Sequence, residues 1–223
     1  MRLFHNPLSS NARRVLLTAH ILGTELEILH VDLMDQGARQ RLAELNPNGM
    51  VPVLQDGEFM LWESCAIMQY LAELAPGQEL YPQDARARAD VNRWMFWASQ
   101  HFFPAVSVMT FENIWKGMIG EGAADPRELE RGERELLRFA TVLDQHLQDR
   151  RWVAGKAISL ADLSLAPALS YIEPARLPLA PFKNIQRWFA QIEATEAWQQ
   201  TNVPWPEELF TAGKDAAPAA GVE

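Results

Sequence analysis

Three short clusters in this 223-residue chain hold residue types that could do chemistry. Ser9-Ser10-Asn11 brings two hydroxyls and an amide to the start of an apolar-periodic run. A hydroxyl there caps a helix, and the positive end of the helix dipole favours an anion. Glu63-Ser64 stands at the start of another such run, which again suits either a cap or an anion-binding helix N-terminus. Val51-Pro52-Val53-Leu54 is an apolar strand containing a proline, which cannot donate to a ladder and by itself reads as an edge position. The single cysteine, Cys65, excludes an intrachain disulfide, a multi-cysteine zinc site and a two-cysteine redox motif. Any reactive thiol is then expected to arrive with a ligand. Following Ser64 on a helix, Cys65 itself is expected to be a small buried hydrophobe. The five histidines show no metal-ligand spacing, so no metal is expected.

The elements that must position these clusters fall into two patterns. Residues 2–5, 26–33, 51–54 and 59–61 read as strands. Helices are predicted over 12–22, ended by Gly23, over 40–45, and from Glu63 to Leu71. The order β-α-β-α-β-β-α predicts a mixed sheet flanked by helices. From Asp84 onward strand signals stop, and helices are predicted through 94–103, from about 123 to 147, over 159–171 and over 184–194. Ser159-Leu160-Ala161-Asp162 reads as a capping box with Asp for Glu, a folding element. The expected domains are 1–78 and an all-helical 85–211, with a disordered tail over 212–223.

Composition narrows the function. With 48% hydrophobic and 22% charged residues, the chain is an ordinary globular protein. Its net charge of −9 argues against broad nucleic-acid binding. No apolar run reaches the ~18 residues needed to cross a bilayer, and the N-terminus lacks a signal-peptide pattern. A cytoplasmic protein is expected.

Ser9 to Val15, Asn46-Pro47-Asn48-Gly49-Met50-Val51-Pro52-Val53-Leu54 and Leu61-Trp62-Glu63-Ser64-Cys65-Ala66-Ile67, in this order, resemble the glutathione transferase superfamily in its serine-type, theta/phi-like bacterial branch. Gly155 to Asp162 extends the likeness into the second half. The resemblance implies a thioredoxin-like α/β N-terminal domain and an all-α helical bundle domain. It implies glutathione as co-substrate, a hydrophobic electrophile as second substrate, and a homodimer. By the same resemblance the Val51–Pro52 bond is cis, and the Val51 backbone pairs with the ligand's cysteinyl unit. The γ-glutamyl carboxylate goes to Ser64 and its ammonium to Glu63. Ser9 stabilises the thiolate, with Asn11 as the alternative. Met50 stands where relatives carry a polar contact to the glycine end, which Arg39 or Gln36 could replace. Phe102, Phe103, Phe111 and Trp115 either line an electrophile pocket or belong to the interhelical core. Thiolate chemistry allows conjugation or peroxide reduction. The rival function is a non-catalytic binding or regulatory protein, while a reductase using its own cysteine is disfavoured because the Ser9 loop has none.

Overall fold

The computed structural model describes residues 1–205. Strands β1 (Arg2–His5), β2 (Glu27–His30), β3 (Val53–Asp56) and β4 (Phe59–Trp62) form one mixed sheet in the order β2-β1-β3-β4. β1 is parallel to β2 and antiparallel to β3, and β3 is antiparallel to β4. Helix α1 (Ser10–Leu22) joins β1 to β2, α2 (Gln36–Leu45) precedes β3, and α3 (Ser64–Leu74) follows β4. The two-residue side-chain period of a strand sets the layers. Leu3 and Leu54 pack with Val15 and Ile67 of α1 and α3, while Val53 packs with Val31, Leu42 and Val51 on the opposite face.

After α3 the described residues form helices and turns, with no further strand. Helices α4 (Ala85–Trp97), α5 (Phe103–Thr110) and α6 (Lys116–Met118) are joined by π-helical turns at Ala98–Phe102 and Phe111–Trp115 into one long run. α7 (Pro126–His146) packs beside α5. α8 (Leu160–Leu165) passes into a 3-10 turn at Ala166–Tyr171, then α9 (Lys183–Glu193) and α10 (Glu196–Gln200) follow. One apolar cluster runs from Leu3 and Val15 through Trp94 and Phe102 to Trp188, so the sheet unit and the helices share an interior. This is the expected thioredoxin-like unit plus helical bundle. No described helix is long and apolar enough to cross a membrane.

The capping pair at α8 reaches further than its sequence suggests. Asp162, fully buried, accepts from the amide and hydroxyl of Ser159, both at 2.9 Å. Its second oxygen accepts from Val153 N at 2.8 Å and Trp188 Nε1 at 2.9 Å, tying α9 to the start of α8. Burial pushes this carboxyl up to about 6, against the lowering effect of the donors.

Several boundaries differ from expectation for local reasons. α1 starts at Ser10, because Ser9 caps it, and α2 starts at Gln36, capped by Asp35. β3 starts at Val53 instead of Val51, since the Val51–Pro52 bond is cis and precedes the ladder. The helix predicted over 159–171 changes to a 3-10 turn in its second half, which contains Pro167. α10 was not predicted. The tail expected over 212–223, and the last residues of the domain expected over 85–211, lie outside the described residues.

Candidate active site

The N-terminus of α1 is built by its own loop and one distant tyrosine. Ser9 is the N-cap residue, in extended conformation, and its Oγ accepts from Ala12 N at 3.2 Å. That bond uses a lone pair and leaves the hydroxyl proton free to donate. Tyr171, from the 3-10 turn, accepts from Ser10 N at 3.0 Å and donates to Leu8 O at 2.7 Å. Burial raises its phenol pKa, so it stays a neutral donor that holds this loop to the helical unit. Asn11, in the first turn of α1, is exposed.

A polar cavity of about 440 Å³ lies beside this loop, lined by residues that include Asn11, Arg14, Val51, Pro52, Glu63 and Ser64. The segment entering it is shaped by Asn46, whose Nδ2 donates to Met50 O at 2.7 Å and whose Oδ1 accepts from Asn48 N at 3.0 Å. Gly49 turns the chain at φ 62°, a conformation glycine adopts without cost. Among the described residues neither the N–H nor the C=O of Val51 has a hydrogen-bond partner, although Val51 is only 8% exposed. Unpaired buried backbone groups are rare, and an extended ligand strand would satisfy both.

The other wall is the start of α3. Glu63 holds φ 71° and ψ 108°, a strained region for a residue with a Cβ, and its side chain makes no capping bond. The capping alternative is therefore not used, and the exposed Glu63 belongs to the cavity lining. Ser64, 7% exposed, contributes a hydroxyl with no partner among the described residues. The first amides of α3 lack intrahelical acceptors, so this corner presents several donors to an anion.

Arg14 is 2% exposed and lines the same cavity. Its guanidinium lies over the Phe103 ring at 4.0 Å and donates to Cys65 Sγ at 3.5 Å, while Nε and Nη2 have no partner. Burial lowers its pKa, with Cys65 as the first opposing influence. Cys65 is half-buried, where a fully buried side chain is expected: it packs against the core cluster and also lines the cavity.

A second cavity, of about 510 Å³, adjoins the first and shares Asn11 and Phe103 with it. Its walls are Leu8 to Asn11, Asp32 to Met34, Tyr171, and one side of the α5–α6 run that includes Val106, Phe111 and Trp115. Ser9 lines this cavity and does not line the polar one. Of the four aromatics expected there, Phe102 does not reach it. Phe102 is fully buried and stacks on Trp97 at 5.9 Å, because the π-helical turn ending at Phe102 directs it to the core.

Two other expectations also fall away from the cavities. Arg39 is exposed on α2 and lines neither, and neither does Gln36. Met50 lines the polar cavity and is 67% exposed. Conversely, Asn46, Arg14 and Tyr171 are contributors that spacing did not single out. Asn46 and Arg14 lie inside the quoted motifs, whereas the contact of Tyr171 spans 161 residues and has no local signal. Among the described residues no group of three or more His, Cys, Asp or Glu side chains gathers as a metal site would require.

Comparison with known proteins agrees with this arrangement. Residues 1–73 match the family described as glutathione S-transferase, N-terminal domain, and residues 100–196 match glutathione S-transferase, C-terminal domain. Glutathione S-transferase 3 of Zea mays is 33% identical over 207 residues, covering 90% of this chain and 92% of that protein. The crystal structure of glutathione transferase F7 from Populus trichocarpa superposes with a TM-score of 0.82 at 25% identity, over 90% of this chain and 96% of that one. A glutathione S-transferase structure from Rhodospirillum rubrum F11 gives a TM-score of 0.83 at 26% identity, over 93% and 94%. Both domain descriptions are matched in order along one chain, and the chain belongs to the glutathione S-transferase family.

Proposed function

We propose that this chain is a glutathione transferase of the serine-type, theta/phi-like bacterial branch, acting on glutathione and a hydrophobic electrophile. The observation that carries it is the junction of a polar and an apolar cavity at Asn11 and Phe103, with the Ser9 hydroxyl, free to donate, in the lining of the apolar one. In the polar cavity the Val51 backbone pairs with the cysteinyl unit of glutathione. Ser64 and the start of α3 bind the γ-glutamyl carboxylate, and Glu63 faces its ammonium. Pro52 holds Val51 in the required orientation. The glycine end runs past Met50 toward solvent.

The thiol then projects past Asn11 into the apolar cavity. A free thiol has a pKa of ~8.5 and is mostly protonated at neutral pH. The Ser9 hydroxyl and the positive end of α1 favour the thiolate, with Asn11 as the alternative donor. The electrophile lies against Phe103, Phe111 and Trp115, and attack on it, or on a peroxide, takes place at the junction. The protein acts in the cytoplasm as a homodimer.

The test is the thiolate absorbance of bound glutathione against pH, in wild type and in Ser9→Ala and Asn11→Ala variants, together with turnover against aryl halides, epoxides, isothiocyanates and hydroperoxides. A bound thiol that titrates as free glutathione does, with no turnover of any substrate, would leave a binding protein. A shift lost only in Asn11→Ala transfers the role from Ser9.

A further inference from the structure

The loop that carries Ser9 is tied to the helical unit through one phenol oxygen. Ser9 sits between two peptide units, each with a carbonyl and an amide to satisfy. Its own amide donates to Asn6 O at 3.0 Å, and its carbonyl accepts from Arg13 N at 2.9 Å, both within the same stretch of chain. The other two groups are Leu8 O, before Ser9, and Ser10 N, after it. Both go to the hydroxyl of Tyr171, at 2.7 Å and 3.0 Å. That single oxygen therefore bridges the peptide units on either side of the Ser9 Cα, which holds φ −84° and ψ 114°. The set of the two units fixes the direction of the Cα–Cβ bond, and with it the reach of the Ser9 hydroxyl. Tyr171 is itself held: it is 7% exposed, with its ring edge-on to Trp115 at 6.4 Å and tilted against Trp205 at 5.3 Å. Burial raises its phenol above the usual tyrosine range, against the lowering effects of Ser10, Arg14 and Arg13, so the hydroxyl keeps its proton while a thiol titrates.

We propose that Tyr171 is a positioning residue for the transferase reaction: from the helical unit it holds Ser9 where the hydroxyl meets the sulfur of bound glutathione. The proposal rests on the reading of Ser9 as the thiolate-stabilising residue. Tyr171 does not line the polar cavity, and its hydroxyl proton is committed to Leu8 O, so it has none to give the sulfur. Its influence reaches the thiolate through Ser9. A hydrogen bond to an anion is strong, but it weakens steeply when bent or lengthened. Without the Tyr171 oxygen, Leu8 O and Ser10 N lose their shared partner and turn toward water, and the Ser9 hydroxyl swings off the sulfur with them. The tripeptide is gripped by other residues, Val51 and Ser64 among them, so its binding survives. Thiol acidity and glutathione affinity therefore separate in a variant that lacks only this oxygen.

The experiment compares wild type, Tyr171→Phe, Ser9→Ala and the double variant. For each, glutathione affinity is measured by calorimetry, the bound thiol is titrated by thiolate absorbance, and kcat and KM are followed across pH with an aryl halide. Tyr171→Phe keeps the ring and is expected to raise the thiol titration toward that of free glutathione. Turnover near neutral pH is expected to fall about tenfold and to recover at alkaline pH, with glutathione affinity within about twofold of wild type. In the Ser9→Ala background the same substitution is expected to change turnover by less than about twofold, because its route to the sulfur is already gone. Should Tyr171→Phe fail to fold, Ser10→Pro removes the amide that Tyr171 accepts, at the first helical position where proline fits, and is expected to shift the titration the same way. A shifted thiol in wild type that stays shifted in Tyr171→Phe overturns the proposal and leaves the transferase reading standing. A loss of the same size in the Ser9→Ala background overturns it too, and so does a raised electrophile KM with an unmoved thiol, which makes Tyr171 a cavity wall only. An unmoved titration in Ser9→Ala also overturns it, since Tyr171 then has nothing to act through. A wild-type thiol that titrates as free glutathione does, with no turnover, removes the transferase reading itself.

Discussion

The polar cavity takes its walls from turns and helix starts, whereas the apolar cavity takes much of its wall from one side of a long helical run. In the first, the contributing groups are backbone amides at Val51, a strained Glu63, a hydroxyl and a buried guanidinium. The first three are placed by local devices such as the Asn46 turn, and the guanidinium by its long-range contacts with Cys65 and Phe103. In the second, apolar side chains such as Val106 and Phe111 share a surface, and hydrogen bonds hold only polar wall residues such as Tyr171. Recognition by directed donors demands particular residues at particular positions, while an apolar wall demands only size and shape. The first cavity should therefore fail sharply on single substitution and the second gradually.

The largest effect is expected where neither cavity is touched. Asp162→Ala leaves four buried donors without their acceptor and is expected to cost about 3–5 kcal/mol, lowering melting temperature while both cavities weaken in parallel. Because burial raises the Asp162 carboxyl to about 6, its ionisation costs stability. That contribution is greatest below the unfolded value near 3.8 and is lost as pH rises through about 6. Denaturation midpoints taken across this window should fall with pH, and Asp162→Asn should flatten the trend.

Ser9→Ala comes next. Turnover near neutral pH should drop about 100-fold, with the deficit closing at alkaline pH where solvent deprotonates the thiol unaided. Loss of glutathione affinity by the same factor would show that Ser9 belongs to binding instead. Ser64→Ala should weaken glutathione by about 1.5–3 kcal/mol and leave the KM for the electrophile alone. Unchanged calorimetric affinity in the folded variant removes Ser64 from the site. Trp115→Ala inverts that pattern, raising the electrophile KM by about tenfold at constant glutathione affinity, as expected for ~1–2 kcal/mol of lost apolar contact. If it weakens glutathione instead, the division between the two cavities is wrong. Arg39→Ala has the smallest effect, at most a few-fold on glutathione binding, because an exposed charge on a solvated carboxylate contributes about 0–1 kcal/mol. A larger change would mean that α2 moves over the ligand.

Legibility in the sequence follows the same division. The polar cavity was readable because a proline, a glycine turn and an acid-hydroxyl helix start each constrain the backbone locally, and they stand in a fixed order. The Val51–Pro52 bond is cis as expected. Arg14 and Cys65 could not be joined by spacing, since their contact spans 51 residues and depends on how α1 packs on α3. The placement of Arg39 outside the cavity was equally hidden, because it depends on where α2 begins. On the apolar side, helical periodicity located the run but not its facing. Phe102 and Phe103 are adjacent, yet one is fully buried in the core and the other lines both cavities.

The wall of the apolar cavity is sensitive to chain length in the helical run that carries it. The π turn at Ala98–Phe102 already absorbs one residue more than the α turn it interrupts. A residue gained or lost in the regular helix α4 before it, and not absorbed by such a turn, rotates everything after it by ~100°. Phe103, Phe111 and Trp115 would then leave the cavity together and be replaced by their neighbours. Point substitution alters this surface one side chain at a time, but a single codon gained or lost exchanges it as a block. Divergence in electrophile preference among relatives is expected to follow such length changes in this stretch, and the polar cavity, built before residue 65 apart from Cys65, Ser99 and Phe103, would pass through them largely intact.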